Sequence, residues 1–223
     1  MKLSKVKGII FDMDGVIFDS EAVWQRAFVA ANEKFNSPFI EADRQSWCGM
    51  DEQSIRNKLK EQYPSFPVDE YREYIISFVF NVIHTDCADV KAGFEELISY
   101  LKAHGYKTAL ATSAKTDRAA LQFEKKGLER AKLFDCETYS GEVKVSKPNP
   151  EIFLKAAQKL NLPPQECIVL EDSLNGVEAA VRGGFQPVMV IDLIAPTEKE
   201  RNECVFIADN LGEVLRFLKG ETK

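Results

Sequence analysis

Residues 7–20 read KGIIFDMDGVIFDS. The apolar run Ile9, Ile10 and Phe11 shows no polar alternation, the pattern of a parallel strand covered on both faces. It breaks off at two aspartates, Asp12 and Asp14, with Gly15 directly behind them. Asp-x-Asp-Gly can be a simple turn, because Asp favours Asx-turns and Gly accepts positive φ. It can equally set two carboxylates at the carboxyl end of a strand, where open parallel sheets bind ligands. What the rest of the chain brings to that edge decides between the two.

Strand and helix patterns alternate further along. YKTALAT (106–112) is the second apolar run, FDCETYS (134–140) a weaker one, and ECIVLEDS (166–173) and PVMVI (187–191) follow. Between them lie helical stretches: Phe94, Leu97, Ile98 and Leu101 at helical spacing before Gly105, then RAALQFEKKG, then NPEIFLKAAQKLNL with Asn149 as cap and Pro150 in the first turn. NGVEAAVRGG and a last helix carrying Leu211, Val214, Leu215 and Leu218 complete the series. Strands alternating with helices predict an α/β fold, a parallel sheet with helices on both faces. From about Ser20 to Ala92 the sequence is helical, without a convincing strand.

Composition narrows the function classes. With 223 residues, 45% hydrophobic and 29% charged, the chain can bury a sizeable core. A net charge of −6 and a pI near 5.2 argue against wrapping nucleic acid. The five cysteines, at 48, 87, 136, 167 and 204, show no CxxC or metal-ligand spacing and read as small buried residues of a reducing cytosol. MKLSKVKG runs into a strand rather than a signal h-region, so a cytoplasmic location is expected. YIISFVFNVI (74–83) falls short of the roughly 20 residues of a membrane span and reads as a buried helix. No membrane or nucleic-acid partner is expected. His84 and His104 form no metal or triad constellation. Oligomeric state is unreadable, and a monomer is compatible with the chain.

Polar residues then collect at strand ends and helix starts: Asp12 and Asp14 after the first strand, Thr112 and Ser113 after the second, Lys147 before a helix, Glu171 and Asp172 after a later strand. Each alone has a bland reading as turn, cap or solvated charge. Their joint occurrence, in order and each at a strand end or helix start, outweighs it.

Together FDMDGVIFDS, ALATSAK, SKPNPEIF and VLEDSLNG resemble the four motifs of the haloacid dehalogenase superfamily, in the branch that holds β-phosphoglucomutases and small-molecule phosphatases. The resemblance implies a Rossmann-like parallel sheet core over 1–18 and 87–223, with an inserted α-helical cap domain over 19–86. It implies Asp12 as nucleophile, Asp14 as general acid and base, Thr112 as phosphate-binding hydroxyl and Lys147 as the lysine of the third motif. It makes Glu171 and Asp172 the acids of the fourth, and places Asp12, Asp14 through its backbone carbonyl, Glu171 and Asp172 around a metal. Gly15, Ser113, Ala114 and Lys115 would line the phosphate position. An anionic nucleophile facing a phosphate dianion needs a hard cation among its oxygens, which suits Mg2+. With Asp14 neutral, the three charges of Asp12, Glu171 and Asp172 balance Mg2+ plus Lys147.

The cap separates the candidate reactions. In β-phosphoglucomutases a cap helix supplies a His four residues after the hydroxyl that matches Ser20, and a cap loop supplies a Lys before a Gly and an Arg after it. Here those positions are Trp24, then Cys48 before Gly49, then Glu52, and Ala114 replaces a Ser. Each departure removes a polar or basic group, so the expectation is a phosphatase acting on a small phosphorylated metabolite, a sugar phosphate or similar monoester, rather than a mutase. Trp24 reads equally as cap core beside Ala27 and Phe28. Phospho-accepting signalling domains lack the helical insertion and place the accepting Asp on a later strand. A non-catalytic binding protein is disfavoured because every motif residue is intact.

Overall fold

The computed structural model describes residues 5–47, 52–85, 88–192 and 194–221. The chain runs β1 (Gly8–Phe11), four helices α1 (Ser20–Phe35), α2 (Glu41–Trp47), α3 (Glu52–Gln62) and α4 (Val68–Thr85), then α5 (Phe94–Ala103) and β2 (Lys107–Thr112). It continues through α6 (Thr116–Lys125), α7 (Arg130–Leu133), β3 (Cys136–Tyr139), α8 (Glu151–Leu160), β4 (Cys167–Glu171) and α9 (Leu174–Arg182). The last elements are β5 (Gln186–Val190), α10 (Glu198–Glu203), β6 (Phe206–Ala208) and α11 (Leu211–Leu218). Two compact units result, one of residues 1–19 with 89–223 and one of residues 20–88.

In the larger unit the six strands form one parallel sheet in the order β3-β2-β1-β4-β5-β6. This is a Rossmann-like α/β core, and the order reverses between β1 and β4, the switch point at which such sheets open a crevice beyond their carboxyl ends. Ile9, Ile10 and Phe11 are fully buried. Ile10 packs with Ala109, Val169 and the α8 residues Ile152, Phe153, Ala156 and Ala157 on one face. Phe11 meets Phe94 and Phe134 edge-on, both at 5.9 Å, on the other. Burial on both faces is why the run shows no alternation, and replacing Phe11 by Ala would cost about 3–5 kcal/mol.

Local chemistry sets the ends of the elements. Asn149 Oδ1 accepts the Glu151 N–H, and Pro150 stands just outside α8, so the helix begins one residue later than expected. Ser173 Oγ caps α9 through Gly176 N–H at 3.0 Å. The elements α10 and β6 lie beyond the expected series, as does the four-residue α7. Helix α10 carries a capping box of Thr197 and Glu200, a signal visible in the sequence as T-x-x-E. At three residues, β6 is too short to show a pattern.

The smaller unit is helical. Phe39 sits among the rings of Trp47, Tyr63, Phe66 and Tyr71 at 5.0–5.4 Å. Asn32 ties the unit together, accepting from Tyr71 Oη and Ser37 Oγ and donating to Phe39 O. The expectation of a wholly buried helix at 74–83 is corrected: α4 buries Tyr71, Ile75 and Val79 along one stripe, while Phe80 is 58% exposed. None of the described helices is long and apolar enough to cross a membrane.

Candidate active site

Asp12 follows β1 directly, Glu171 closes β4 and Asp172 comes next, so strand pairing between β1 and β4 delivers all three carboxylates to one edge. Asp12, Glu171 and Asp172 can each bring an oxygen within 4.8 Å of the others, a largely buried acidic cluster able to hold a metal ion. Lys147, in the turn before α8, reaches the same place. Its Nζ donates to Asp12 Oδ1 and to Glu171 Oε1, both at 2.5 Å. The second oxygen of Glu171 accepts from Ser173 N–H at 2.8 Å and Ser173 Oγ at 2.9 Å. Both Glu171 oxygens are thus engaged by protein donors, whereas among the described residues Asp172 is not held in this way.

Three clustered carboxylates, Asp12 and Glu171 buried and Asp172 half-buried, around one ammonium leave excess negative charge. Burial pushes the Asp12 carboxyl up to about 7, with the Lys147 ammonium opposing and the charges of Glu171 and Asp14 adding. Burial likewise lifts Asp172 well above the carboxylate range, helped by Glu171, Asp12 and Asp192. Burial works against the charge of Lys147, but the Asp12 and Glu171 carboxylates overcome it and hold the ammonium above the usual lysine range. The arrangement therefore favours the charged form of Lys147 and disfavours the charged forms of Asp12 and Asp172.

Two glycines make the crowding possible. Gly15 has φ 75°, and a Cβ there would overlap the Asp172 carboxylate. A Cβ at Gly176 would overlap the carboxylate of Glu171. Thr112, buried at the end of β2, accepts the Ala114 N–H on its Oγ1 at 3.0 Å. Ala114 is buried and its carbonyl accepts from Ser140, while Ser113 and Lys115 are exposed, Lys115 as the N-cap of α6.

Of the remaining expected residues, Ser20, Trp24 and Glu52 belong to the smaller unit. Ser20 is buried at the start of α1, and Trp24 is half-buried beside the buried Val23, Ala27 and Phe28. Glu52 accepts from Arg56 Nε at 2.9 Å and from Arg72 Nε and Nη2 at 3.1 and 2.6 Å. Cys48 and Gly49 lie outside the described residues. His104 stacks on Tyr100 at 4.0 Å, away from this cluster's residues in role and partners. Burial raises the Cys136, Cys167 and Cys204 thiols to about 11, 12 and 12, which disfavours the thiolate form.

Further residues of this region escaped the sequence reading. Arg118 of α6 pairs with Asp14, Nη2 to Oδ1 at 2.5 Å. Lys91 Nζ donates to the Gly15 carbonyl at 2.8 Å and to Asp192 Oδ1 at 2.6 Å. Asp192 had a legible signal, an acid just past the run PVMVI. Arg118 and Lys91 had none, since each sits among other charged residues.

The chain belongs to the haloacid dehalogenase-like hydrolases, whose family model matches residues 6–184. It is an enzyme of the phosphoric monoester hydrolase class. A phosphorylated carbohydrates phosphatase of Thermotoga maritima is 30% identical over 189 residues, covering 82% of this chain and 84% of the relative. A Drosophila melanogaster protein named "Probable pseudouridine-5'-phosphatase" is 32% identical over 206 residues, covering 88% and 87%. In fold, the β-phosphoglucomutase of Clostridium difficile superposes with a TM-score of 0.72 at 23% identity, over 97% of this chain and 96% of that one.

Proposed function

We propose that the chain is a Mg2+-dependent phosphatase that hydrolyses a small phosphorylated metabolite, a sugar phosphate or similar monoester, through an aspartyl-phosphate on Asp12. The observation that carries this reading is the Lys147 ammonium shared between Asp12 and Glu171 at 2.5 Å. It aims one oxygen of Asp12 and leaves the other for attack. The phosphatase relative acting on phosphorylated carbohydrates supports the substrate class.

The residues present suit a hard divalent cation. All donors are carboxylate or carbonyl oxygens, and the clustered Asp12, Glu171 and Asp172 together outnumber the one ammonium, Lys147, that pairs with them. Asp12 and Asp172 would hold it with the main-chain carbonyl of Asp14, and Glu171 would keep Lys147 and Ser173 in place. When bound, such an ion supplies charge neutralisation toward the phosphoryl oxygens. Without it, each like-charge pair costs about 4 kcal/mol at about 4 Å and an effective dielectric near 20.

Asp12 attacks phosphorus in line, forming its Oδ–P bond as the P–O bond to the leaving group breaks. Asp14 gives its proton to the departing oxygen. It then takes a proton from the water that attacks the aspartyl-phosphate, which releases phosphate and restores Asp12. The Thr112 hydroxyl and neighbouring amides donate to the phosphoryl oxygens.

A panel of phosphorylated sugars and nucleotides assayed for phosphate release, with Mg2+ and with chelator, tests the reading. Release from at least one monoester, abolished by chelator and restored by Mg2+, is expected. Undiminished release after metal removal would count against it.

A further inference from the structure

Among the described residues, Arg118 is the side chain with which the Asp14 carboxylate pairs. It is the third residue of α6, and both side chains are about a third exposed, at 32% and 31%. Nη2 donates to Oδ1, yet Nε of the same guanidinium is buried and has no hydrogen-bond partner. One turn along the helix, on the same face, Gln122 is fully buried and both its amide atoms lack partners. Buried donors without acceptors are costly. A helix that only covered the sheet would carry apolar residues here, as its buried neighbours Ala119 and Phe123 do.

We propose that Arg118 is a positioning residue for the Asp14 carboxyl group. By binding Oδ1 it fixes the rotation of that group and leaves Oδ2 as the oxygen that carries the transferred proton. Arginine suits the task, since its guanidinium stays protonated throughout the cycle and cannot compete for that proton. The pair also keeps Asp14 from turning toward the cluster of Asp12, Glu171 and Asp172, where Lys147 is already taken up by two carboxylates. The inference rests on the acid–base reading of Asp14 given above.

The leaving group separates a positioning role from a structural one. An alkyl phosphate needs a proton on its departing oxygen, whereas p-nitrophenolate leaves without one; hydrolysis of the aspartyl-phosphate needs Asp14 in both cases. Arg118→Gln is therefore expected to lower kcat on an alkyl phosphate roughly 10²-fold, the lower end of what general acid–base catalysis contributes, with KM little changed. With p-nitrophenyl phosphate the same variant is expected to release a rapid burst of about one nitrophenolate per site before slow turnover. Arg118→Lys, which keeps one donor and the charge, is expected to restore part of kcat and shrink the burst.

Asp14→Asn measured in parallel keeps two failures apart. If Asp14→Asn shows the burst and Arg118→Gln does not, Arg118 is not a positioning residue and the acid–base reading stands. If neither shows it, the reading of Asp14 falls and the proposal with it. A change confined to KM, or an equal loss in the burst phase with both esters, also overturns the proposal.

Discussion

The carboxylate of Glu171 lies so close over Gly176 that any side chain at residue 176 would overlap it. Glu171 ends β4 and Gly176 lies in the first turn of α9, so one glycine decides whether the acid can hold Lys147. Gly176→Ala is expected to displace Glu171 and release Lys147 from its shared position. Crowding of this kind costs typically about 1–3 kcal/mol, and a urea melt of the variant beside wild type checks it. Phosphate release should fall at least as steeply as stability, since an off-target Lys147 no longer aims Asp12.

Stability of the metal-free protein should fall as pH rises from about 5 to about 7. Burial holds Asp12 at about 7 when folded, against 3.8 ordinarily. Between those values the folded chain keeps a proton that the unfolded chain has lost, so raising the pH favours unfolding, by up to about 1.4 kcal/mol per unit. Mg2+ should remove the slope by replacing the proton. Thermal melts at several pH values, with chelator and with Mg2+, read this, and identical pH profiles would count against cation binding by Asp12.

Much of the core was legible because its signals are local. An unbroken apolar run marks a strand buried on both faces, as Ile9, Ile10 and Phe11 are, and the acid or hydroxyl that ends each run lies at the sheet's carboxyl edge. The pairing of Arg118 with Asp14, 104 positions apart, was not legible, because Arg118 looks like any charged residue of an amphipathic helix until the helix is placed. The same holds for Lys91, which reaches Gly15 across 76 positions. Nor could the sequence show that Glu52 is engaged by Arg56 and Arg72, since those partners lie one turn and 20 residues away.

Arg72 is the buried member of that group, its side chain 6% exposed and its guanidinium 5.5 Å from the Trp47 ring. Glu52→Ala strips it of its closest counter-charge. The variant is expected to lose about 1–3 kcal/mol, the cost of a buried polar group left unsatisfied, measurable as a lower urea midpoint. A midpoint equal to wild type would show that Glu52 adds nothing to the helical unit.

The cap also bears on the reaction. Where β-phosphoglucomutases place an Arg in the cap loop, this chain has Glu52, which brings no cation for a second phosphate and is itself taken up by Arg56 and Arg72. Supplied with β-glucose 1-phosphate and its bisphosphate activator, the protein is expected to yield free phosphate or nothing. Steady, activator-dependent NADPH formation in a coupled glucose 6-phosphate dehydrogenase assay would establish mutase activity instead.

The central claim is that Asp12 carries the phosphoryl group, and chemical trapping tests it most directly. An acyl phosphate is reduced by borohydride to an alcohol, which converts a phosphorylated aspartate into homoserine. The protein is quenched during turnover with Mg2+ and p-nitrophenyl phosphate, treated with borohydride, digested and mapped by mass spectrometry. Homoserine at residue 12, absent without substrate and absent in Asp12→Asn, is the predicted result. Homoserine at another aspartate, or none at all while Asp12→Asn still turns over at a rate near wild type, would contradict the account.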